Sequence, residues 1–368
     1  MKIFLAPHLI LFFLMLSCSF ASGQQNTGPV RIAVAGTTHG HSGWILGKKD
    51  TSSVVVAGIF EKNKELVAKQ KKQYGLSDQL FYDDLEKMLD ELKPEAVVAF
   101  GSIYEHLQVV EACAPRGIHV MVEKPLAVSL SHAKKMETLA RKHNIHLLTN
   151  YETSWYPSTI KSLQLVTDSA VIGKISKAVF HHGHEGPKEI GVGKEFLDWL
   201  TDPVQNGGGA LIDFGCYGAN IMTQMMDSIK PLSVVAITGQ YKPDIYSKVD
   251  DEATIVVEYR HAQAIIQASW NWPFGRKDME LYGDSGYVIT YDANNLKRRS
   301  RTGITLDSVT VEETKVYTDP FSYFSDVIRK RIVVAPYSLY SLSNNMRVVA
   351  ILDAARESAR TGRKVRLK

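Results

Sequence analysis

Between residues 30 and 150, segments with the pattern of a buried strand alternate with segments of helical periodicity. Strands that are separated by helices cannot pair as hairpins, and this alternation is typical of a parallel sheet with helices on both faces. The sequence therefore predicts an α/β fold over this part of the chain. The predicted strands lie near 30–36, 53–60, 78–81, 95–100, 117–122 and 145–149, and the predicted helices near 62–74, 83–92, 104–115 and 129–143.

A glycine-containing turn follows the first predicted strand, and a helix begins shortly after it, near Trp44. A strand, a glycine-rich turn and a helix N-terminus form the unit that holds the pyrophosphate of a dinucleotide. Gly36 matches the first glycine of the G-x-G-x-x-G motif, whereas Thr38 and His41 take the second and third glycine positions. The pattern predicts a Rossmann domain over 30–150 whose turn contacts the cofactor through Gly36, Thr37, Thr38, His39, Gly40 and His41.

Three further residues at the predicted carboxyl edge of this sheet are candidate cofactor ligands. Glu61 ends the second strand, at about the spacing of an acid that binds ribose hydroxyls, and it would repel a 2′-phosphate. NAD is therefore favoured over NADP, although Lys62 weakens this preference and Glu61 has helix capping as an alternative role. Ser102 and His106 follow the fourth strand, and for His106 capping or packing is as reasonable as cofactor contact.

The fifth predicted strand ends at Glu123-Lys124-Pro125. Proline cannot donate to a sheet ladder and disfavours helical geometry in the residue before it, so Lys124 is expected at the strand end. Ligands of open α/β sheets bind at this edge. Glu123 and Lys124 are therefore candidates for cofactor contact, and Lys124 also for substrate contact, with solvated loop charges as the alternative.

Near residue 150 the pattern changes, as expected for a second domain in a chain of 368 residues. Strand-like segments separated by short turns predict a mostly antiparallel sheet, and a last helix at 343–361 is expected to pack on the body. The predicted strands lie near 175–183, 233–240, 253–259, 263–271, 278–282 and 286–290. The predicted units are an export signal at 1–23, the Rossmann domain at 30–150, a substrate and oligomerisation domain at 151–340, and a C-terminal helix and tail at 341–368.

The second half also contains three consecutive glycines, 207–209, followed by Asp213 and Tyr217. If this segment is helical, the last two share one face, where a carboxylate and a phenol can bind an alcohol. Together with the turn at 36–43 and the Glu-Lys-Pro at 123–125, the motif Gly-Gly-Gly-x-x-x-Asp-x-Gly-x-Tyr resembles the Gfo/Idh/MocA oxidoreductases. Many members have histidine at the position of Tyr217, and tyrosine resembles the branch of glucose–fructose oxidoreductase, dihydrodiol dehydrogenase and xylose dehydrogenase.

The resemblance implies an NAD-dependent enzyme that transfers a hydride between a sugar or polyol carbinol and a nicotinamide, in a homodimer or homotetramer. The catalytic candidates are Lys124, Asp213 and Tyr217. Tyr217 is expected to move the hydroxyl proton, with Lys124 lowering the pKa of its phenol, and Asp213 is expected to hold neighbouring hydroxyls. Lys124, Asp213 and Tyr217 are therefore also substrate ligands.

Histidines near 181–184 are further substrate candidates. On an alternating strand His182 and His184 share one face while His181 points away, so the set with Glu185 does not predict a metal site. Substrate contact is assigned to His182 and His184. The nearby tryptophans, equally suited to stacking on a sugar and to core packing, are Trp199, Trp270 and Trp272.

The start of the chain predicts export. Residues 1–23 combine Lys2, an apolar run at 9–16 and small residues at 21–23, and Cys18 resembles a lipoprotein cleavage site. The protein is thus expected to be periplasmic or, if Cys18 is lipidated, anchored to a membrane. The net charge of +4 gives no basis for nucleic-acid binding.

Export keeps two other functions open. A glycoside hydrolase of the same family, which oxidises its sugar transiently and returns the hydride, would need no supply of soluble NAD. A non-catalytic sugar-binding protein with a retained Rossmann fold is the other alternative, although Lys124, Asp213 and Tyr217 together argue against it.

Overall fold

The first half of the chain forms the predicted parallel sheet. The computed structural model describes residues 28–167 and 171–367, so the predicted export signal and Cys18 lie outside the described residues. The sheet has the order 3-2-1-4-5-6, and the order reverses between the first and fourth strands, where open α/β sheets bind ligands. Its strands are β1 (Val30–Ala35), β2 (Val54–Phe60), β3 (Phe81–Tyr82), β4 (Ala96–Ala99), β5 (His119–Glu123) and β6 (Leu147–Asn150).

Five helices connect these strands, and capping side chains explain where two of them start. Asn63 caps the second helix by accepting N–H bonds from its first turn, and Ser129 caps the fifth in the same way. The Rossmann prediction is therefore confirmed. The helices are α1 (Ser42–Leu46), α2 (Lys64–Tyr74), α3 (Leu85–Leu92), α4 (His106–Cys113) and α5 (Leu130–Lys142).

The second half forms the predicted mostly antiparallel sheet, in the order 14-13-12-11-7-10-9-8-15. Strands 7 and 10 pair in parallel, and their other neighbours are antiparallel. The strands are β7 (Ile175–Gly183), β8 (Ser233–Gly239), β9 (Glu252–Glu258), β10 (Gln263–Ser269), β11 (Arg276–Gly283), β12 (Tyr287–Thr290), β13 (Asn295–Ser300), β14 (Gly303–Ser308) and β15 (Val365–Arg366).

One face of this sheet is covered by helices. Along β9 the buried residues Ala253, Ile255 and Val257 alternate with half-exposed ones, so one face of the strand belongs to the core. That core includes residues of the last helix, which also contributes Val349 to the core of the first domain. The helices of this half are α6 (Pro157–Thr167), α7 (Lys194–Leu200), α8 (Ala210–Asp213), α9 (Gly215–Met226), α10 (Val311–Thr314), α11 (Pro320–Ile328) and α12 (Leu342–Thr361).

Helix α11 lies within the range predicted for the second domain but packs on the first sheet. Its Phe321 and Phe324 are buried against Val30 and Ile32 of β1. Arg329, just after the helix, holds it there through two hydrogen bonds to the carboxylate of Glu95, of 2.6 and 3.0 Å. Among residues 28–167 and 171–367, no helix combines the length and apolar character that a membrane span requires.

Candidate active site

The end of β5 carries the predicted Lys124 into the interior, where it meets Asp213 from α8. Both side chains are 7% exposed, and the Lys124 ammonium forms an ion pair with the Asp213 carboxylate. The same ammonium donates to the Asp213 carbonyl oxygen at 3.0 Å, and Trp270 Nε1 donates to Asp213 Oδ2 at 3.0 Å. The two motifs predicted to act together are thus in direct contact, and Lys124 is not a solvated loop charge.

The ion pair keeps both groups charged. Burial alone lowers the pKa of Lys124, but the Asp213 carboxylate outweighs it and raises that pKa above its ordinary value. Burial likewise raises the pKa of Asp213, but Lys124, His184 and the Trp270 N–H together lower it below its ordinary value. An ammonium and a carboxylate therefore persist here at neutral pH, in a site that excludes most water.

The three glycines position Asp213 by allowing close backbone contact. A Cβ on Gly209 would lie 1.8 Å from the carbonyl oxygen of Asp250, so no other residue fits there without a shift. The Asp250 carboxylate accepts the N–H groups of Gly209 and Leu211 at 2.9 and 2.7 Å. The start of α8, and with it Asp213, is thereby fixed against the loop before β9.

Tyr217 lies beside this pair, but its chemistry differs from the prediction. Its ring is 1% exposed and packs against Tyr151 and His182, and Lys124 Nζ lies over the ring, 5.1 Å from its centroid. Burial, followed by nearby carboxylates such as Glu152, raises the pKa of Tyr217 well above its ordinary value. The prediction that Lys124 lowers this pKa is wrong, because burial and the nearby carboxylates raise it.

The histidines at the end of β7 and directly after it alternate as predicted. His182 is buried between Phe180 and Tyr217, and burial lowers its pKa to about 3. His184 lines the cleft beside Lys124 and Asp213, while His181 lies on the other face and contacts Asp278 at 3.0 Å. The three rings therefore do not converge on a common ion.

A separate cleft at the ends of β1 and β2 has the features of a dinucleotide site. Gly36 has φ +72°, and a Cβ on it would lie 2.9 Å from the backbone of Gly101. Because neither residue has a side chain, the two backbones form a cradle in which a pyrophosphate can lie close to the main chain. Glu61 borders the cleft, and its carboxylate accepts the N–H and hydroxyl of Thr37 at 2.9 and 2.8 Å. His106 also borders it, and its Nε2 is buried without a hydrogen-bond partner among the described residues. These residues fit a dinucleotide.

Residues of helix α7, in the second half of the chain, pack on the glycine-containing turn. Thr38, at the second glycine position, accepts a hydrogen bond of 3.0 Å from Trp199 Nε1 of α7. His39 is buried against Phe196 of the same helix, with ring centroids 4.6 Å apart. Ser102 donates to Gln205 at 2.7 Å and caps the segment after β4, so its hydroxyl is already engaged within the protein.

Two residues at the site, Lys277 and its ion-pair partner Glu152, were not predicted. Lys277 of β11 borders the cleft, lies 5.3 Å from the Tyr217 ring centroid and forms an ion pair with Glu152. Strand β11 begins at Arg276, two residues before the predicted range 278–282, so Lys277 lies outside the predicted strand. Of the three tryptophans, Trp270 is fully buried and bonded to Asp213, so it is a core residue and not a sugar-stacking platform.

One group among the described residues has ligand-type atoms close enough to suggest a metal ion, namely His39, His41 and Glu123, within 4.8 Å of one another. His39 Nδ1 accepts the backbone N–H of His41 at 3.1 Å, and His41 Nδ1 lies 3.2 Å from Glu123 Oε2. The Nδ1 atoms of His39 and His41 are thus engaged in hydrogen bonds within the protein.

A Rossmann sheet with Lys124 at its ligand edge, paired there with Asp213 of a second, mostly antiparallel domain, defines a two-domain dinucleotide-binding protein. Within this class, the chain belongs to the Gfo/Idh/MocA family. Residues 30–151 match the model of the oxidoreductase family with an NAD-binding Rossmann fold, and residues 160–289 match the GFO/IDH/MocA C-terminal domain.

Characterised relatives are distant. A trans-1,2-dihydrobenzene-1,2-diol dehydrogenase of Xenopus laevis is 28% identical over 174 residues, 47% of this chain and 48% of that protein, so the match spans about half its length. D-apiose dehydrogenase of Rhizobium rhizogenes is 21% identical over 335 residues, 86% of this chain and 91% of that protein.

Solved structures share the whole fold. An aldose-aldose oxidoreductase from Caulobacter crescentus, complexed with glycerol, has a TM-score of 0.77 at 20% identity and covers 92% of this chain and 100% of its own. An inositol dehydrogenase homologue from Azotobacter vinelandii, complexed with NAD⁺, has a TM-score of 0.77 at 17% identity and covers 92% of this chain and 98% of its own. At these identities the likeness shows the fold alone.

Proposed function

We propose that the protein is an NAD-dependent oxidoreductase that transfers a hydride between a sugar or polyol carbinol and a nicotinamide. The observation that carries the proposal is the buried Lys124–Asp213 ion pair at the ligand edge of the Rossmann sheet. Relatives named D-apiose dehydrogenase and D-xylose 1-dehydrogenase [NADP(+)] support a carbohydrate substrate.

Lys124, Asp213 and Tyr217 each have a role that follows from the charge state of the side chain. The Lys124 ammonium can donate to the carbinol oxygen and stabilise negative charge that develops on it. Asp213, held by Lys124 and Trp270, can accept from a neighbouring hydroxyl and orient the ring. Tyr217 remains a neutral phenol at neutral pH because its pKa is raised, so it suits the role of hydrogen-bond donor to the substrate.

For the cofactor we propose NAD, held by Gly36, Glu61 and His106 in the cleft at the ends of β1 and β2. When bound, a nicotinamide supplies the hydride acceptor or donor of the reaction. The buried carboxylate of Glu61 disfavours a 2′-phosphate, because it would place like charges together. A lower affinity for NAD than for NADP would contradict this preference.

The test is NADH formation by the purified protein. Wild type is incubated with NAD and a panel of aldoses, polyols and aryl glycosides, and the NADH absorbance band and free aglycone are followed. We expect steady NADH formation with at least one free sugar or polyol, and its loss in Lys124→Met with NAD affinity retained. Lys87→Met removes an exposed lysine on α3 and serves as the matched control.

Two outcomes would contradict the proposal. Wild-type turnover in Lys124→Met would show that the ion pair has no role in catalysis. NAD binding without NADH formation on any substrate of the panel would remove the dehydrogenase activity, and aglycone release without net NADH would indicate transient oxidation instead.

We also propose a homo-oligomer and export. Apolar side chains such as Ile237 on β8 and Leu306 on β14, each 73% exposed, suit contact with a second copy of the chain. Light scattering of the purified protein measures the copy number, and a monomer would contradict the assembly. N-terminal sequencing and mass spectrometry of the mature protein would show whether residues 1–23 are removed or Cys18 carries a lipid.

A further inference from the structure

Lys277 borders the active-site cleft, and the protein uses only part of its hydrogen-bonding capacity. Its ammonium donates to Glu152 and lies 5.3 Å from the centroid of the Tyr217 ring. An ammonium has three N–H donors, so two of them have no hydrogen-bond acceptor among residues 28–167 and 171–367. Because 26% of the side chain is exposed, these donors can reach a molecule that is bound in the cleft.

His184 lies beside Lys277 on the same wall of the cleft. Lys277 on β11 pairs with His182 on β7, and His184 follows two residues later on the same face, so the two side chains are diagonal neighbours. His184 Nδ1 accepts the backbone N–H of Gly186 at 2.9 Å, so Nε2 carries the hydrogen of the neutral ring. Burial lowers the pKa of His184, which keeps the ring neutral at pH 7. This wall therefore offers an imidazole N–H as well as an ammonium.

The side chains around the cleft offer many donors and few acceptors. Lys124 gives two hydrogen bonds to Asp213 and retains a third N–H, and the Tyr217 phenol is a further donor. Of the described residues that border the cleft, Asp213 is the one with a carboxylate, and each of its oxygens already accepts one hydrogen bond. No Asn, Gln, Ser or Thr side chain is among those residues. A ligand rich in acceptor atoms therefore fits this cleft better than one that has hydroxyl groups alone.

The charges around the cleft favour the same kind of ligand. Its described lining contains two ammonium groups, those of Lys124 and Lys277, and the single carboxylate of Asp213. The carboxylates of Glu123 and Glu152 are not part of that lining. An ionised carboxylate accepts hydrogen bonds with both oxygens, donates none and carries one negative charge. It thus matches both the excess of donors and the excess of positive charge.

We infer that the substrate is a sugar acid, whose carboxylate binds Lys277 and His184 while its carbinol lies at Lys124. This inference rests on the proposed function and names the class of sugar on which that function acts. Lys277 is then a specificity-determining residue, since its ammonium recognises a group of the substrate that does not react. The bond with Glu152 limits the positions that the ammonium can take.

A phosphate is another anionic group that a sugar can carry. Planar guanidinium groups suit phosphate because they donate two parallel hydrogen bonds. Arg276 precedes Lys277 in the chain, but its guanidinium makes two hydrogen bonds to Asp278 and is not part of the lining of the cleft. The donors that do border the cleft are single N–H and O–H groups, so we assign a carboxylate to the site.

The first test uses pairs of sugars that differ only at C6, namely D-galacturonate with D-galactose and D-glucuronate with D-glucose. D-glucose 6-phosphate is the phosphate probe, and NADH formation gives kcat/KM for each sugar. Wild type should prefer the acid of at least one pair. Lys277→Met should lower this preference by about tenfold to a hundredfold, as expected for the loss of a charge-assisted hydrogen bond. Lys297→Met removes a lysine that lies over another tyrosine ring of the same sheet, and this control should keep the preference.

The variants of Glu152 distinguish specificity from a structural role of the ion pair. If the pair only held β11 in place, Lys277→Met and Glu152→Gln would impair activity on the acid and on the neutral sugar alike. Under our inference Glu152→Gln keeps the ammonium and removes a competing anion, so the preference for the acid should persist or increase. Lys277→Met with Glu152→Gln leaves no unpaired carboxylate and should lose the preference, so it replaces the single variant if Lys277→Met does not fold.

The second test measures binding and needs no turnover. The protein saturated with NADH is titrated with the same sugars in a calorimeter. The acid should bind more tightly than its neutral partner in wild type, and the difference should shrink as salt is added, because an exposed ion pair is screened. In Lys277→Met the difference should disappear, and in Lys297→Met it should remain.

Equal affinity for acid and neutral sugar, binding of neither, or an acid preference that persists in Lys277→Met would overturn the inference. Tighter binding of D-glucose 6-phosphate than of both acids would overturn the assignment of a carboxylate. NADH formation from neutral sugars alone would also overturn the inference but would leave the proposed function in place. Absence of NADH formation with every sugar would refute the proposed function, and the calorimetric preference would still decide the inference.

Discussion

The most informative perturbation is to remove one charge of the Lys124–Asp213 pair. Asp213→Asn keeps the shape of the side chain but leaves the Lys124 ammonium buried, with the Asp213 backbone carbonyl as its remaining acceptor from that residue. Because both side chains are 7% exposed, water cannot replace the lost partner. Breaking a buried pair in this way costs about 3–5 kcal/mol of the free energy of unfolding.

The double variant makes the prediction sharper. Lys124→Met alone leaves an unpaired carboxylate and should cost a similar free energy of unfolding, whereas Lys124→Met with Asp213→Asn leaves no buried charge. The double variant should therefore be more stable than the sum of the two single losses predicts, by about 1–3 kcal/mol.

The pH dependence of the difference between wild type and Asp213→Asn follows from the two pKa shifts. The pKa of Asp213 is lowered, so its contribution is present above the ordinary aspartate value of 3.8 and is lost as the pH falls through the lower, folded-state pKa. The pKa of Lys124 is raised, so its contribution is present below the ordinary lysine value of 10.5 and is lost above the folded-state pKa. Between these limits the difference should narrow as the pH rises, because burial lowers the pKa of the unpaired Lys124 ammonium in Asp213→Asn and lets it lose its charge.

The assay is urea denaturation followed by tryptophan fluorescence for wild type, both single variants and the double variant. Glu357→Gln, which breaks an exposed pair with Arg360 on α12, is the control and should leave the free energy of unfolding unchanged. Wild-type stability in Asp213→Asn, or single losses that simply add in the double variant, would refute the reasoning.

Three further predictions concern other contacts. Gly36→Ala should lose about 1 kcal/mol or more of unfolding free energy and weaken NAD binding in calorimetry, because its φ is +72°; unchanged values would refute the cradle. Trp270→Phe removes the donor to Asp213, should cost about 1–3 kcal/mol, and should shift acid unfolding to higher pH as the pKa of Asp213 rises; an unshifted acid transition would contradict it. Arg329→Met breaks the contact with Glu95 and should speed hydrogen exchange in α11 but not in α5; equal exchange would contradict it.

The parallel half of the fold could be predicted because each of its elements has a local signature. Buried strands appear as apolar runs, and capped helices appear as polar starts with apolar periodicity. Where a turn signal and a strand signal occurred in the same segment, the predicted start of the strand was displaced. Around 78–81, the Ser77 side chain caps a short 3₁₀ turn at Asp78–Leu80, so the strand begins only at Phe81.

Elements without a strong local pattern were not predicted. β13 contains Lys297, Arg298 and Arg299, and its charges suit a strand near the edge of a sheet but hide the apolar alternation. The chain shows an apolar segment at Pro320–Ile328, but nothing in its own sequence indicates which domain it packs on. That choice depends on the apolar face that β1 and β2 offer to α11. This face exists only after the sheet has formed, so it is not a property of the segment itself.

Some properties of the site could likewise be predicted, and others could not. The resemblance to the Gfo/Idh/MocA family was enough to expect Lys124 and Asp213 together, and the fold brings both to one edge. The charge state of Tyr217 was not predictable, because it depends on burial and on which carboxylates face the ring. The turn shows the difference most clearly. Thr38 and His41 are departures from the glycine motif in the sequence, but in the folded protein one is bonded to α7 and the other to the end of β5. Residues that weaken a motif match can therefore still be held in place by specific contacts of the folded protein.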